Sequence, residues 1–446
     1  MIASHLSVRT RTLLTISSIR NLVCICLLAG CSLPPAGGYK SATPDCAFIA
    51  YWPEARQKGK TRLAVKDLID MKGIVTTAGS EFLAKHAPPA KKDAACLAIA
   101  RQRGVDIVGK TNLTELAVTV SGINQYYGTP KNPVSRDHNL IPGGSSSGAA
   151  VAVAQDDADV SFGTDTAGSI RVPAACCGVF GLKTTRGLVP LDGVYPIAPR
   201  LLDTVGPMAK SVPRLVEGMD LLEDGFAGEY RRAVATKPAG KHIRVGRLYL
   251  PGTNPEIDRA IDDALHKAGF EIVKISDSFR DQWKQADGDA KTIAATAAWI
   301  YDMKFTGESQ VRARTKAVAL LGHLDYNMRA YRGALQRRMP WTNSLNRVLQ
   351  QVDFVALPTL QKLPPHVPFL GGTVAFEATV LAIQNTAAVN FAGNPAIAIP
   401  VPIQSRISPV TSLQLIGPRY GEAALCNAAR IVDSAVNGVH EPVAER

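Results

Sequence analysis

Residues 141–150, IPGGSSSGAA, place three consecutive serines between glycines. The string matches G-x-S-x-G with Ser146 as nucleophile, which is the pattern of a nucleophile elbow. An elbow needs a strand directly before the serine, and Pro142 followed by two glycines is a poor strand end. A flexible Gly/Ser linker is a second interpretation, although apolar segments flank the string closely. The third is that one of these serines assists a nucleophile elsewhere in the chain.

Residues 163–171, GTDTAGSIR, offer such a nucleophile in Ser169. This glycine-rich turn follows the strand-like segment VSF. Several successive backbone N–H groups in a tight turn can converge on one point and form an anion-binding nest. Such a nest suits the oxyanion of a tetrahedral intermediate, and Ser169 at its end is well placed to attack a carbonyl.

A nucleophilic serine needs a base, and Lys66 is the candidate. Residues 63–73, LAVKDLIDMKG, place it at the end of a short apolar strand. Burial there would lower the pKa of the lysine from about 10.4 toward roughly 7 to 8, where the neutral amine is a usable base. The sequence contains no S-x-x-K and no H-E-x-x-H, which excludes the penicillin-binding-protein arrangement and a zinc hydrolase of that kind.

The elements that position these residues follow from the apolar pattern. It predicts strands over 105–112, 160–162, 243–250, 270–275, 352–360, 394–403 and 411–417. It predicts helices over 93–104, 148–155, 255–269 and 422–436, and a more charged, mostly helical segment over 280–350. Alternating short strands and helices are typical of the α/β class, and we expect a large mixed β-sheet covered by α-helices on both sides.

Four stretches together resemble the amidase signature family: LAVKDLIDMKG, KTNLTELAV, IPGGSSSGAAVAVA and FGTDTAGSIRVPAACCGVFGLKTTRGLVP. The resemblance runs over about residues 60–215 and resumes at ALPTL, NFAGNPAIAIPVP and TSLQLIG. It implies the family's single α/β domain, predicted here over 46–440. A segment at about 220–350 carries little family signal and is expected to be variable.

The resemblance implies a Ser–cis-Ser–Lys triad. The family's nucleophile ends the glycine-rich turn and maps onto Ser169, its cis-serine follows the paired glycines and maps onto Ser145, and its base maps onto Lys66. The Gly144–Ser145 peptide bond is then expected to be cis, and Ser146 is not the nucleophile. The implied reaction is amide hydrolysis through an acyl-enzyme on Ser169, with no metal and no organic cofactor.

The resemblance also implies that this turn binds the oxyanion and that neighbouring side chains stabilise the turn. Backbone amides near Thr166, Ala167 and Gly168 are the implied oxyanion hole. Asp165 and Arg171 flank the turn, and we expect them to anchor it through a charge-assisted contact. Ala167 departs from the glycine that many members have, and it resembles the T-A-G-S of allophanate hydrolases.

The N-terminus resembles a lipoprotein signal. Three arginines precede NLVCICLLAG, an apolar run that is too short to span a bilayer and is typical of a secretory signal. The run ends in Leu28-Ala29-Gly30-Cys31, which resembles a bacterial lipobox. We therefore expect a signal peptide over 1–30, a lipid anchor at Cys31, a tether over 31–45 and a position in the cell envelope, facing the periplasm or the exterior. An ordinary signal peptide and a wrong start codon are the alternatives.

Composition limits the remaining function classes. The chain has 446 residues, of which 46% are hydrophobic, and a formal net charge of +12. The basic residues are scattered without a long block or interleaved aromatics, so nucleic-acid binding is not expected. Five cysteines would remain after the signal and Cys31, with no C-x-x-C pair, which indicates neither a zinc site nor a disulfide framework. Cys176 and Cys177 are expected to be small buried hydrophobes.

The leading hypothesis is therefore an amidase that acts on a small-molecule carboxamide. A second is the amidase component of a tRNA-dependent amidotransferase, which passes ammonia to a partner; a signal peptide argues against it, because that work is cytosolic. A third is a binding or scaffold protein on an amidase fold, which the loss of Lys66, Ser145 or Ser169 would have favoured. The substrate and the oligomeric state do not follow from the sequence.

Overall fold

The computed structural model describes residues 40–53, 59–327, 329–369 and 371–438. The predicted signal peptide, Cys31 and most of the predicted tether lie outside these ranges. Eleven strands are described: β1 (Phe48–Tyr51), β2 (Arg62–Lys66), β3 (Asp106–Thr111), β4 (Val160–Asp165), β5 (Phe180–Lys183), β6 (Thr204–Ala209), β7 (Arg244–Arg247), β8 (Glu271–Lys274), β9 (Phe354–Pro358), β10 (Ala396–Pro402) and β11 (Val410–Ile416).

All eleven strands form one sheet, in the order β1-β3-β2-β4-β6-β5-β10-β11-β9-β7-β8. The pairs β2–β3, β2–β4, β7–β9 and β7–β8 are parallel, and the other six neighbouring pairs are antiparallel. The sheet is therefore mixed, as the sequence predicts.

Helices connect the strands. They are α1 (Glu81–His86), α2 (Ala98–Gln102), α3 (Ser147–Ala154), α4 (Arg171–Cys177), α5 (Val212–Asp220), α6 (Phe226–Thr236), α7 (Pro255–Lys267), α8 (Asp277–Asp302), α9 (Ala313–Asn327), α10 (Ala330–Leu349), α11 (Val374–Ala382), α12 (Ala387–Ala392) and α13 (Glu422–Asn437). Among the described helices, none combines the length and the apolar character that crossing a membrane requires.

Side-chain alternation along the strands divides the core between the two faces of the sheet. In β9, Phe354 and Ala356 pack in one cluster, whereas Val355 and Leu357 pack in another, because successive residues of a strand point to opposite faces. Helices α2, α5, α6, α7 and α13 cover the first face. Helices α3, α4, α8, α10 and α12 cover the other. The predicted fold class, a large mixed sheet covered by helices on both sides, is confirmed.

Candidate active site

Two parallel neighbours, β2 and β4, bring the first site residues to one edge of the sheet. Lys66 is the last residue of β2, and Thr164 lies near the end of β4. Because parallel strands present their carboxyl ends at the same edge, the two side chains meet there. The Lys66 Nζ donates to Thr164 Oγ1 at 2.8 Å.

Lys66 is completely buried, and its amine also lies 2.7 Å from Ser145 Oγ. Burial lowers the pKa of Lys66 to about 7, against the opposing influence of the carboxylates of Asp165 and Asp203. Near neutral pH much of this lysine is therefore uncharged, and a neutral amine has a lone pair that can accept a proton.

The serine string is buried from residue 141 to residue 150, so it is not a flexible linker. The Gly144–Ser145 peptide bond is cis, as predicted. No strand precedes Ser146, and its Oγ donates to the Thr164 carbonyl at 3.2 Å. The nucleophile-elbow interpretation is therefore wrong, because Ser146 lacks both the strand and the exposure that an elbow provides.

Ser169 lies against the serine string and faces a cavity. The backbone N–H of Ser146 donates to the Ser169 carbonyl at 3.2 Å, which places the two glycine-rich segments side by side. Ser169 is 7% exposed and lines a cavity of about 300 Å³ together with Thr166 and Ala167. Lys66 contacts Ser145, and the backbone of the next residue, Ser146, bonds to Ser169 at the cavity.

Asp165 and Arg171 make the predicted contact beneath the turn. Arg171 Nη2 and Nε donate to Asp165 Oδ1 and Oδ2 at 2.9 and 3.1 Å, and both side chains are completely buried. Burial raises the pKa of Asp165, but the charge and hydrogen bonds of Arg171 outweigh it and hold this pKa well below its ordinary value. The guanidinium also donates to Asn390 and Gln414 and to the Thr386 carbonyl, so it ties the turn to α12 and β11.

The turn differs from the prediction at Gly168. Its backbone N–H donates to Asp165 Oδ1 at 2.8 Å, so this amide is already engaged. Gly168 has φ 132°, and an added Cβ would collide with Thr386 Oγ1, so glycine is required here for space and conformation rather than as an oxyanion donor. The backbone amides of Thr166, Ala167 and Ser169 have no partner within the described part of the protein, so these three are available to donate to a ligand.

Much of the rest of the cavity wall comes from the segment that carried little family signal and from α11. Small and apolar side chains dominate it: Ala294, Ala295 and Ala298 of α8, Val318 of α9, and Ala378 and Leu381 of α11.

The two charged lining residues are already paired. Lys291 forms an ion pair with Asp287 at 2.6 Å and donates to the Leu381 carbonyl, and Glu377 forms an ion pair with Arg314 at 3.1 Å. Among the described lining residues, no charged side chain is left unpaired for a ligand. The cavity therefore suits an uncharged, largely apolar group.

Sequence reasoning missed two residues that support the site. Thr164 Oγ1 accepts a hydrogen bond from the Lys66 amine. Asp203 accepts hydrogen bonds from Thr166 Oγ1 at 2.7 Å and from the backbone amides of Ile197 and Ala198. Burial raises the pKa of Asp203. The motif string FGTDT contains Thr164, but only the parallel pairing of β2 and β4 reveals its bond to Lys66. Asp203 lies outside every motif, and we find no sequence signal for it.

The cysteines that the structure describes are buried, as predicted for Cys176 and Cys177. Cys46, Cys96, Cys176, Cys177 and Cys426 are buried free thiols. Burial raises the pKa of Cys176 and of Cys177, which keeps both as inert thiols. Cys31, the predicted lipidation site, lies outside the described residues.

Two curated relatives match most of the chain. A glutamyl-tRNA(Gln) amidotransferase subunit of Halobacterium salinarum is 32% identical over 410 residues, which cover 84% of this chain and 95% of the relative. The 2-amino-5-chloromuconic acid deaminase of Comamonas testosteroni is 31% identical over 395 residues, which cover 85% of this chain and 82% of the relative.

A solved structure and a family model agree with these sequence matches. The crystal structure of a glutamyl-tRNA(Gln) amidotransferase subunit from Thermotoga maritima superimposes with a TM-score of 0.70 at 25% identity, and the match covers 89% of each chain. The family model described as Amidase matches residues 62–426. This range includes both glycine-rich segments, Lys66 and the helices that wall the cavity. The chain therefore belongs to the amidase family.

Proposed function

We propose that this protein hydrolyses a small carboxamide to a carboxylate and ammonia or an amine, through an acyl-enzyme on Ser169. The observation that carries the proposal is the completely buried Lys66, whose amine lies 2.7 Å from Ser145 Oγ beside the cavity that Ser169 lines. A buried lysine with a pKa of about 7 and a serine partner is the setting of a general base.

In the proposed reaction, Ser169 Oγ attacks the amide carbonyl while its proton passes to Ser145, and the Ser145 proton passes to the neutral Lys66 amine. The backbone amides of Thr166, Ala167 and Ser169 donate to the oxyanion. The proton returns through Ser145 to the leaving nitrogen, the C–N bond breaks and the acyl group stays on Ser169. Water then attacks the ester by the same proton path and releases the carboxylate.

The paired charges of the cavity favour an uncharged, apolar acyl group as the substrate. A charged group that leaves water for this cavity would lose its hydration without gaining a free partner, because Lys291 and Glu377 are already neutralised within the protein. The test is ammonia release by the full-length protein from a panel of primary amides, with butyramide, isovaleramide and benzamide beside glutamine and asparagine. We expect the apolar amides to react faster. Turnover of none of them would contradict the proposed activity on small amides.

A second candidate function is that of an amidotransferase subunit, because the relative at 32% identity bears that name. In this role the protein would supply ammonia to a partner rather than act alone. The same panel separates the two: hydrolysis of glutamine above all other amides would favour this candidate, whereas preference for apolar amides would favour the free-standing amidase.

We also propose that the protein is held in the cell envelope by a lipid at Cys31. The support is the lipobox-like Leu28-Ala29-Gly30-Cys31 that follows a basic, apolar N-terminus. Incorporation of a labelled fatty acid into the parent, and its loss in Cys31→Ser, is the expected result. Equal labelling of both would contradict it.

The pKa of Lys66 predicts how the activity depends on pH. Below about pH 7 the amine is protonated and cannot accept the Ser145 proton, so kcat/KM should rise through this range and level off above it. At pH 6 the rate should be about tenfold below the plateau. The measurement is kcat/KM between pH 5.5 and 9.5.

Lys183 provides a control for this profile. It is also completely buried, and burial lowers its pKa to about 7, but its amine donates to the carbonyls of Thr184 and Asn394. A Lys183→Met variant that folds should keep the same half-maximal pH. A profile with its midpoint near that of an ordinary lysine would contradict Lys66 as the base.

Ala378 tests the cavity as the binding site for the acyl group. It is exposed on α11 and lines the cavity, so Ala378→Phe can fill space there without overpacking the core. We expect KM for the bulkier amides to rise about tenfold, as expected when a hydrophobic site loses room for a ligand group. The measurement is KM for benzamide and for acetamide, with acetamide little affected.

The matched control is Ala375→Phe on the same helix. Ala375 is exposed and lies outside the cavity lining, so the same substitution there should leave both KM values unchanged. Equal effects of the two variants would show that the acyl group binds elsewhere.

A further inference from the structure

The segment 117–122 contacts both the cavity and the residue that precedes the cis-serine. Val118, Thr119 and Val120 line the cavity. On the other side, the Val120 carbonyl accepts from the backbone N–H of Gly144 at 2.8 Å, and Gly144 forms the cis peptide bond to Ser145. One short piece of chain therefore contacts both the space for the substrate and the backbone of the residue that meets Lys66.

Segment 117–122 and the serine string are packed backbone against backbone. A Cβ added at Gly122 would lie 2.5 Å from the Gly143 carbonyl oxygen, and one added at Gly144 would lie 2.8 Å from the Gly122 nitrogen. Close-packed groups transmit small displacements. A shift of segment 117–122 should therefore move Gly144 and Ser145.

The buried carboxylate of Glu377, which is not a member of the proposed triad, binds segment 117–122. Glu377 on α11 is 4% exposed. Its Oε2 accepts from the backbone N–H groups of Val120 and Ser121 at 3.2 and 3.1 Å, and its Oε1 accepts from Ser121 Oγ at 2.6 Å. Hydrogen bonds to a carboxylate are stronger than those between neutral groups, so Glu377 is a firm anchor.

Arg314 completes the anchor from α9. Its Nη1 lies 3.1 Å from Glu377 Oε1, and its Nη2 donates to the Ile123 carbonyl at 2.9 Å. Both partners of this ion pair are buried, with side chains 2% and 5% exposed. The segment is thus held between the two helices α9 and α11, which also wall the cavity.

We propose that Glu377 is a positioning residue for the reaction: through Val120 and Gly144 it holds Ser145 in line with Lys66. The role rests on the proposed function, because it requires Ser145 to relay a proton. Displacement of a reacting group by about 1 Å can cost a hundredfold in rate. The Glu377→Gln variant keeps the shape and one acceptor oxygen but removes the charge that binds two backbone amides, Ser121 and Arg314.

The experiment measures how fast Ser169 reacts with a small alkyl fluorophosphonate, using the full-length protein. In that reaction Ser169 Oγ bonds to phosphorus and fluoride leaves, while the Ser169 proton passes to Ser145 and the Ser145 proton passes to Lys66. The probe needs the relay but not the apolar cavity wall, so it separates positioning from substrate fit. We expect Glu377→Gln to react at least about tenfold more slowly than the parent, with kcat for an amide falling similarly.

The matched control is Asp289→Asn. Asp289 is also a carboxylate 4% exposed, and it pairs with Arg337 at 2.6 Å, but it contacts neither segment 117–122 nor the serine string. Its variant should react within about twofold of the parent. Ser121→Ala removes one bond to Glu377 and should slow the reaction about threefold, with no further loss when combined with Glu377→Gln.

Two results would overturn the positioning role of Glu377. One is a Glu377→Gln variant that reacts with the fluorophosphonate at the parent rate. The other is an equal loss of rate in Asp289→Asn, which would indicate general destabilisation. A change in KM for amides with unchanged phosphonylation would make Glu377 part of the cavity shape only. If Glu377→Gln does not fold, a parent rate in Ser121→Ala overturns the proposal. If the parent protein itself does not react at Ser169, the proposed function and the role of Glu377 both fail. If the parent reacts and only the variants give the results above, the role of Glu377 fails alone.

Discussion

Replacing Ser169 with alanine is expected to lower kcat/KM for amide hydrolysis by about 10³- to 10⁶-fold, because in the proposed reaction Ser169 supplies the oxygen that forms the acyl-enzyme. Ser145→Ala and Lys66→Ala are expected to fall in the same range. Lys66 Nζ lies 2.7 Å from Ser145 Oγ, and the lysine is completely buried, so no water-exposed base can replace it. The measurement is kcat/KM on the fastest amide of the panel, with the fold of each variant checked by circular dichroism.

Ser146 is the matched control for this series. It is as buried as Ser145 and adjacent to it, but its Oγ donates to the Thr164 carbonyl rather than facing Lys66. Ser146→Ala should therefore stay within about tenfold of the parent. Groups that act as a unit are not additive, so Ser169→Ala with Lys66→Ala should be no slower than either alone. If Ser146→Ala lost its activity and Ser169→Ala kept it, Ser146 rather than Ser169 would be the nucleophile.

Lys66 and Ser169 could be predicted from the sequence, because a lysine at the end of an apolar run and a serine at the end of a glycine-rich turn carry a local signal. The local pattern did not decide which serine of residues 145–147 acts, and Ser145 followed only from the resemblance to the amidase signature family. Thr164 could not be predicted, because its bond to Lys66 depends on β2 pairing in parallel with β4. The engaged amide of Gly168 could not be predicted either, because a sequence does not show which of several amides a carboxylate accepts from.

The cavity beside Ser169 could not be predicted from the sequence, for a different reason. The helical character of residues 280–350 follows from their composition, and three helices, α8, α9 and α10, are found there. Ala294, Ala295 and Ala298 are good helix formers, and in sequence they indicate nothing more. These three alanines line the cavity only once α8 is packed on α9. The packing is close, because a Cβ added at Gly322 of α9 would collide with the Ala295 carbonyl of α8. Glu377 is hidden in the same way, since Val120 and Ser121, which donate hydrogen bonds to it, lie more than 250 residues away in sequence.

Asp165→Asn is expected to lower the free energy of unfolding by about 3–5 kcal/mol, because it leaves the buried Arg171 charge without its partner. The carboxylate accepts from Arg171, from Asn390 and from the backbone amides of Gly168 and Ile170. Its pKa in the folded protein is depressed, so its contribution is complete above the unfolded value of about 3.9 and is lost as the pH falls through the folded value. Urea unfolding at pH 7 measures the full effect.

The control is Asp156→Asn, which breaks a surface ion pair with Lys210 whose side chains are 65% and 54% exposed. That variant should lose less than about 1 kcal/mol. A loss in Asp165→Asn no larger than in this control would contradict the anchoring role of the buried pair.

A double variant separates the two consequences of losing Asp165. Combining Asp165→Asn with Arg171→Met removes both charges, so no uncompensated ion stays buried, and part of the lost stability should return. Activity should not return with it. The turn would still lack the carboxylate that engages the amides of Gly168 and Ile170 on either side of Ser169, so Ser169 and the free amides of Thr166 and Ala167 would remain misplaced. Recovery of both stability and activity would mean that the pair stabilises the fold without positioning the turn.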